Sequence, residues 1–223
     1  MNTALKLGDY VTVIGGTGNL GPGLALRWAK AGYKVIIGSR TAEKAQEIVD
    51  ELNIELGEDL IQGMENQDAV AIADVCILTV NQQAHELALG SLKDELQGKL
   101  LIDATARLSF PDLTPPAPPA AAQLAQEILG DEVRVVGAFQ NVAAAALRNN
   151  VDQAVNSDVL VCADNQDDAE IAMDLARAAG MRAFFVGGLE KSIVVEGLTS
   201  LLIAMNKRYK VHDGTLKLSG FPE

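Results

Sequence analysis

Three glycines at fixed spacing carry the strongest chemical signal in this sequence. The segment VTVIGGTGNLGPGLALRWAKAG holds Gly16-x-Gly18-x-x-Gly21 directly after a β-branched apolar run and directly before residues at helical spacing. In that setting each glycine has its own task. Gly16 permits a tight turn, Gly18 lets backbone approach a pyrophosphate, and Gly21 lets the helix pack closely on the strand. A diphosphate there meets free N–H groups and the positive end of a helix macrodipole. The competing reading is a glycine-rich turn that binds nothing. The strand, turn, helix and second strand around the motif favour a dinucleotide.

The second strand says which dinucleotide. It ends VIIGSRTAEKA, with Ser39-Arg40 where an NAD site would place an Asp or Glu for the ribose hydroxyls. A carboxylate repels a 2′-phosphate, whereas a guanidinium fork beside a hydroxyl binds one. Lys44 on the following helix can face the same phosphate, and Thr17 can add a hydroxyl from the loop. The plain alternative for Arg40 is a solvated turn residue. NADP(H) is therefore the expected ligand.

Later strand ends should open on the same crevice. They read LTVNQ (78–82), DATA (103–106) and GAFQN (137–141), mostly small and amide residues. Such walls suit flat rings near backbone, although ordinary strand-to-loop chemistry would look the same. The two histidines, His85 and His212, lie at neither end, and there is no H-E-x-x-H, C-x-x-C pair, G-x-S-x-G or Walker loop. No catalytic side chain and no metal ligand is assigned. Oxidising an alcohol would call for a Tyr, His or Lys beside the nicotinamide. Hydride exchange between two cofactors needs only two rings held face to face.

The elements that must position these residues alternate along the chain. Strands are expected at Tyr10–Ile14, Lys34–Ile37, Leu60–Gln62, Val75–Val80, Leu100–Asp103 and Val133–Ala138. Helices fall between them at Leu20–Ala31, Ala42–Leu52, His85–Leu96 (with a break at Gly90) and Ala120–Leu129. Five prolines make Phe110–Pro119 an extended loop. A second, smaller unit follows: strand Asp158–Ala163, helix Asp167–Ala179, strand Arg182–Val186 and a long helix Lys191–Tyr209. The expected fold is α/β: a Rossmann-type doubly wound parallel sheet over 1–140 with a smaller α/β domain over 141–223. The last helix is apolar on nearly every face, so it is either an internal core helix or one shared with a second subunit.

Composition narrows the partners. The 223 residues carry 18 basic and 30 acidic side chains, a formal charge of −12. Such a surface repels nucleic acid and anionic membranes. Cys76 and Cys162 sit in apolar strand-like runs, as core residues do. With no signal-like start and no bilayer-length apolar stretch, the cytoplasm is expected.

The segments IGGTGNLGPGLALRWAKAGYKVIIGSR, VVGAFQNV, DVLVCADN and VVEGLTSLLIAMNKRYKVH resemble the NADPH-dependent coenzyme F420 reductases. The likeness runs from about Val11 to Lys217. It implies hydride transfer between NADP(H) and coenzyme F420, a deazaflavin with an anionic tail. It implies that Thr17, Gly18, Asn19 and Leu20 wrap the phosphates while Ser39, Arg40 and Lys44 hold the 2′-phosphate. It puts Val80, with Asn81 next to it, by the nicotinamide half, and Ala138, Phe139, Gln140, Asn141 and Val142 along the ring contact. It also implies that the C-terminal segment closes the deazaflavin pocket and forms much of a homodimer. Asn81-Gln82 stands where the family commonly has Pro-Trp, and Gln140 where it commonly has His. Two other readings stay open: an NADPH-dependent reductase of a flavin or other small acceptor, and a non-catalytic NADP(H)-binding redox sensor. Lys207, Arg208 and Lys210 are the nearest cations in sequence for an anionic tail; alternatively they favour the helix C-terminus through its dipole.

Overall fold

The computed structural model describes residues 5–109 and 111–222. The readings that touch residues 1–4 and Phe110 lie outside it. The described strands form one eight-stranded sheet in the order β3-β2-β1-β4-β5-β6-β7-β8. The first six are Tyr10–Ile14 (β1), Lys34–Ser39 (β2), Ile61–Glu65 (β3), Val75–Leu78 (β4), Leu100–Asp103 (β5) and Arg134–Gly137 (β6). All their pairings are parallel. The order 3-2-1-4-5-6 is that of a doubly wound dinucleotide-binding sheet. Asp158–Ala163 (β7) runs antiparallel to β6, and Arg182–Gly187 (β8) runs parallel to β7. The strands of 141–223 thus extend the same sheet across an antiparallel seam.

The helices cover both faces. Leu20–Lys30 (α1), Ala42–Leu56 (α2) and Gln166–Ala178 (α7) share one buried core with Val11 and Val13 of β1. Asn66–Ala71 (α3), Gln82–Ser91 (α4) and Ala121–Leu129 (α5) pack on the other, against Ile14 and Leu78. Thr12 faces the second core with its hydroxyl, which donates to the Ala69 carbonyl at 3.0 Å. Apolar side chains alternating across a parallel strand bury both faces.

Most element boundaries agree with the sequence reading, and the departures have physical causes. The fourth strand ends at Leu78, because Thr79 turns to donate both its N–H and its hydroxyl to the Ile14 carbonyl. Asn81 then caps α4 through Ala84 N–H, so that helix starts at Gln82; it ends at Ser91, one residue past Gly90 and short of Leu96. α3 and Ala144–Arg148 (α6) are too short, at 6 and 5 residues, to leave a readable period. Both cysteines are buried and free, and burial pushes the Cys76 thiol up to about 12.

Two charged groups fasten the later segments. Asp158 is fully buried, and its carboxylate accepts from both Arg182 Nε and Nη2 and from Leu218 N–H, with Lys217 Nζ at 3.2 Å. Burial alone would raise its pKa, but these donors outweigh it and hold the group at about 2. Arg27 of α1 is buried as well, and it donates to five backbone carbonyls: Leu147, Asn149, Asn150, Gln153 and Ala179. That fan ties α1 to α6, to the loop after it and to the end of α7.

Candidate functional site

The glycine loop joins β1 to α1. The positive φ of this turn falls on Gly15, at 64°, directly before Gly16. A Cβ at Gly15 would lie 2.4 Å from Val80 Cγ1, and one at Gly16 would lie 2.8 Å from the Val13 carbonyl oxygen. Both positions are closed by the protein itself. A Cβ at Gly21 would stand 2.7 Å from the Gly16 Cα, so close packing of helix on loop demands glycine there. Gly18 differs. Its φ is not positive, and a Cβ would meet nothing nearer than the Thr79 carbonyl oxygen at 3.9 Å. Neither conformation nor packing explains glycine at 18, so the cradle it leaves open fits a ligand's pyrophosphate.

The N-terminus of α1 faces that cradle. Asn19 occupies the cap position with no side-chain capping bond, and the first turn has no acidic residue. Its leading N–H groups are available to an anion. Asn66 holds the loop from below: its side-chain oxygen accepts Gly15 N–H at 3.2 Å, and Gly38 has no Cβ to obstruct it. Asn66 lies 51 residues from the loop, and no local pattern marks it in the sequence.

Ser39 is the last residue of β2 and is buried, while Arg40 and Lys44 beyond it are exposed. Thr41 caps α2 by accepting Lys44 N–H, which sets Lys44 one turn from Arg40. Neither Arg40 nor Lys44 enters an ion pair among the described residues. Two unpaired cations side by side in an acidic chain, next to a buried hydroxyl residue, fit a phosphate monoester.

The other candidate residues lie across the crevice. Val80 packs on Gly15. A cavity of about 590 Å³ opens between Asn19, the segment after β6 and the helix Ser192–Tyr209 (α8). Ala138 is buried at the end of β6. Phe139 has a φ of 70° and turns its ring into the core against Trp28, at 5.9 Å between centroids, so only its backbone is near the cavity. The Asn141 amide is committed to β7, donating to the Asp158 carbonyl and accepting from Leu160 N–H. Gln140 donates through Nε2 to the Asp103 carbonyl at 3.2 Å, and its Oε1 has no partner. Gln140 therefore keeps an unpartnered acceptor oxygen, buried in the protein, and Asn141 does not.

Behind Gln140 lies a polar cluster that the sequence hides. His85 Nε2 is 2.6 Å from an Asp103 carboxylate oxygen, with both side chains buried. The other Asp103 oxygen accepts Thr105 N–H. Glu196 of α8 is fully buried and accepts N–H bonds from Arg107 and Ala121, stitching α8 to α5. Burial raises its pKa, the two N–H bonds oppose this, and Asp103 adds to the rise. His85 and Asp103 are 18 residues apart, a spacing without a motif. Lys207, Arg208 and Lys210 are exposed and do not line the cavity; Arg148 and His212 do. Among the described residues no group of three or more His, Cys, Asp or Glu could hold a metal ion, and no helix is long and apolar enough to cross a membrane.

Strand order, glycine cradle and the cations past β2 define a Rossmann-type dinucleotide-binding protein. Residues 10–107 match the family model described as NADP oxidoreductase, coenzyme F420-dependent. The chain is 40% identical over 225 residues to the F420-dependent NADP reductase of Methanothermobacter thermautotrophicus, covering 96% of each protein. It is 40% identical over 219 residues to that of Methanocaldococcus jannaschii, covering 90% of this chain and 93% of the relative. The chain belongs to the F420-dependent NADP reductase family. A crystal structure from Arthrobacter sp. FB24 has the same fold, with a TM-score of 0.80 at 20% identity over 95% of this chain and all of that one.

Proposed function

We propose that this protein transfers hydride between NADP(H) and coenzyme F420. The observation that carries the reading is the open Gly18 cradle at an uncapped helix end, next to two unpaired cations. Backbone N–H groups from Thr17 to Gly21, including those of Gly18, Asn19 and Leu20, hold the pyrophosphate, while Gly16 N–H is spent on the Gly38 carbonyl. Ser39, Arg40 and Lys44 hold the 2′-phosphate. Val80 and Asn81 border the nicotinamide half, and the segment Ala138–Val142 borders the contact between the rings. Residues 1–140 act as the NADP-binding part, and residues 141–223 supply the acceptor pocket and a subunit contact. The working compartment is the cytoplasm.

The two cofactors supply the redox chemistry, with hydride passing between the dihydronicotinamide and the deazaflavin. What the chain adds is position. The Gln140 amide is held by the Asp103 carbonyl, which fixes the residue at the edge of the cavity with its Oε1 buried. Thr199 of α8 donates its hydroxyl to the Gln140 carbonyl and fixes the same residue from the other side.

The cofactor assignment is tested by binding. NADP(H) should bind at least tenfold more tightly than NAD(H), since one charge-assisted phosphate contact contributes about 1.5–3 kcal/mol. Arg40→Ala should remove most of that preference in a fluorescence titration of NADPH against NADH. Equal wild-type affinities would sink it.

The subunit contact rests on α8. Val194, Leu198, Leu201 and Met205 fall on one stripe at spacings of four, three and four, and three of the four are exposed. That is the seam of a helix pair, and it fits a homodimer. Leu202 lines the cavity, so Leu201 is the residue to test. Wild type should sediment as a dimer and Leu201→Glu as a folded monomer; a wild-type monomer at micromolar concentration would end the claim.

A further inference from the structure

A loop that begins Gly15-Gly16-Thr17-Gly18 cannot hold its own shape, because glycine populates both hands of backbone conformation. The bonds that shape it come from outside. Gly16 N–H donates to the Gly38 carbonyl of β2 at 3.0 Å, and Gly15 N–H donates to the Asn66 side-chain oxygen at 3.2 Å. Among the described residues, the second is the one side-chain hydrogen bond made to residues 15–19. Asn66 opens α3 directly after β3, and β2 lies between β3 and β1. Its amide therefore reaches the end of β1 past Gly38. A Cβ at Gly38 would stand 2.6 Å from Asn66 Oδ1 and 3.4 Å from Asn66 Cα. The Gly38 φ is not positive, so the approach of Asn66, and not the backbone conformation, calls for glycine there. Gly38 and Asn66 form one device, although a helix and a strand separate them in sequence.

We infer that Asn66 is a positioning residue for dinucleotide binding: it touches no cofactor, and it keeps the glycine loop in the conformation whose free N–H groups receive the pyrophosphate. The inference rests on the NADP(H) reading proposed above. Gly15 is left-handed, at a φ of 64°, and Val80 packs against it without a directional bond. Removing the Asn66 oxygen frees Gly15 to exchange between conformations. The share of molecules with the loop set for binding then falls, and apparent affinity falls by the same factor. The loop meets the pyrophosphate, which NADP(H) and NAD(H) have in common, so both cofactors weaken equally. Arg40 acts on the 2′-phosphate and weakens only NADP(H).

Calorimetric titration with NADPH and with NADH tests this on wild type, Asn66→Ala, Gly38→Ala and the double variant. Asn66→Ala should raise Kd about tenfold for each cofactor, as one lost hydrogen bond to the loop would, and leave their ratio as in wild type. In turnover the loss should appear in KM for NADPH, with kcat held. Gly38→Ala should reproduce it, since the new methyl group pushes the amide off Gly15. With alanine at 66 that methyl has no oxygen to displace, so Gly38→Ala should add less than about twofold in the double variant. An NADPH Kd within about twofold of wild type in folded Asn66→Ala would overturn the role, as would a loss confined to NADPH or effects that multiply in the double variant. Either single variant carries the test if the other does not fold. Failure of both to fold, read by thermal melt, would assign Asn66 to stability alone and overturn the role as well. Wild type that binds neither cofactor would instead remove the NADP(H) reading beneath it.

Discussion

Gly18→Val is expected to abolish NADP(H) binding while leaving the protein folded. The nearest atom to a Cβ at this position is 3.9 Å away, and the backbone is not left-handed there. A side chain at this position therefore starts in open space and grows into the cradle. It would push the pyrophosphate off the α1 N-terminus and break at least two charge-assisted contacts of about 1.5 kcal/mol each, a loss of roughly a hundredfold or more in affinity. Calorimetric titration with NADP+ reads the first effect, and a thermal melt within about 2 °C of wild type reads the second. Gly21→Val is the contrasting variant. Its side chain meets the Gly16 backbone, so it should lose stability as well as binding. A Gly18→Val protein that binds NADP+ like wild type would show that the phosphates lie elsewhere.

Arg27→Met should cost about 3–5 kcal/mol of stability. The variant keeps most of the aliphatic stem but removes the donors shared by five backbone carbonyls, two of them on the buried residues Leu147 and Ala179. For a chain of 223 residues that loss lowers Tm by about 10 °C. Arg27→Lys should recover only part of it, because three donors on one nitrogen cannot span the fan that a planar guanidinium reaches. The damage should be local as well as global. α6 forms one wall of the cavity, and Gly23 of α1 leaves just enough room for Leu147 to seat against it. Denaturant melts that place Arg27→Met within 1 kcal/mol of wild type would contradict this account.

The parts of the molecule written in local pattern were legible in the sequence. β1, the glycine loop and α1 are contiguous, and the Ser39-Arg40 pair follows the next strand directly, so spacing alone places them. Contacts made across the fold leave no such trace. Asn66 supports Gly15 from another strand end, and His85 meets Asp103 only after a helix and a strand have been laid side by side. The left-handed residue of the glycine loop is Gly15, one before the motif, and Val80 packs where a Gly15 side chain would stand. In α8 the obstacle was different. Apolar residues on all faces give no phase, so periodicity could not separate Leu201, facing outward, from Leu202, facing the cavity. The two amides after β6 look equivalent in sequence, yet the Asp158 carbonyl and Leu160 N–H occupy both ends of one, while the other is held only through its Nε2 by the Asp103 carbonyl. Likewise, the NKRYK cluster is near the cavity along the chain, but its side chains point to solvent, and the cations that reach the cavity come from α6 and from His212.

The most direct measurement follows deuterium. NADPH labelled at C4 of the nicotinamide is mixed anaerobically with coenzyme F420 and the purified protein, and the reduced deazaflavin is examined by NMR. The account predicts one label transferred per turnover to C5 of the deazaflavin, with little exchange into water and a rate far lower with labelled NADH. Failure to reduce coenzyme F420 with NADPH, or loss of the label to solvent, would contradict direct hydride transfer between two rings held in this site.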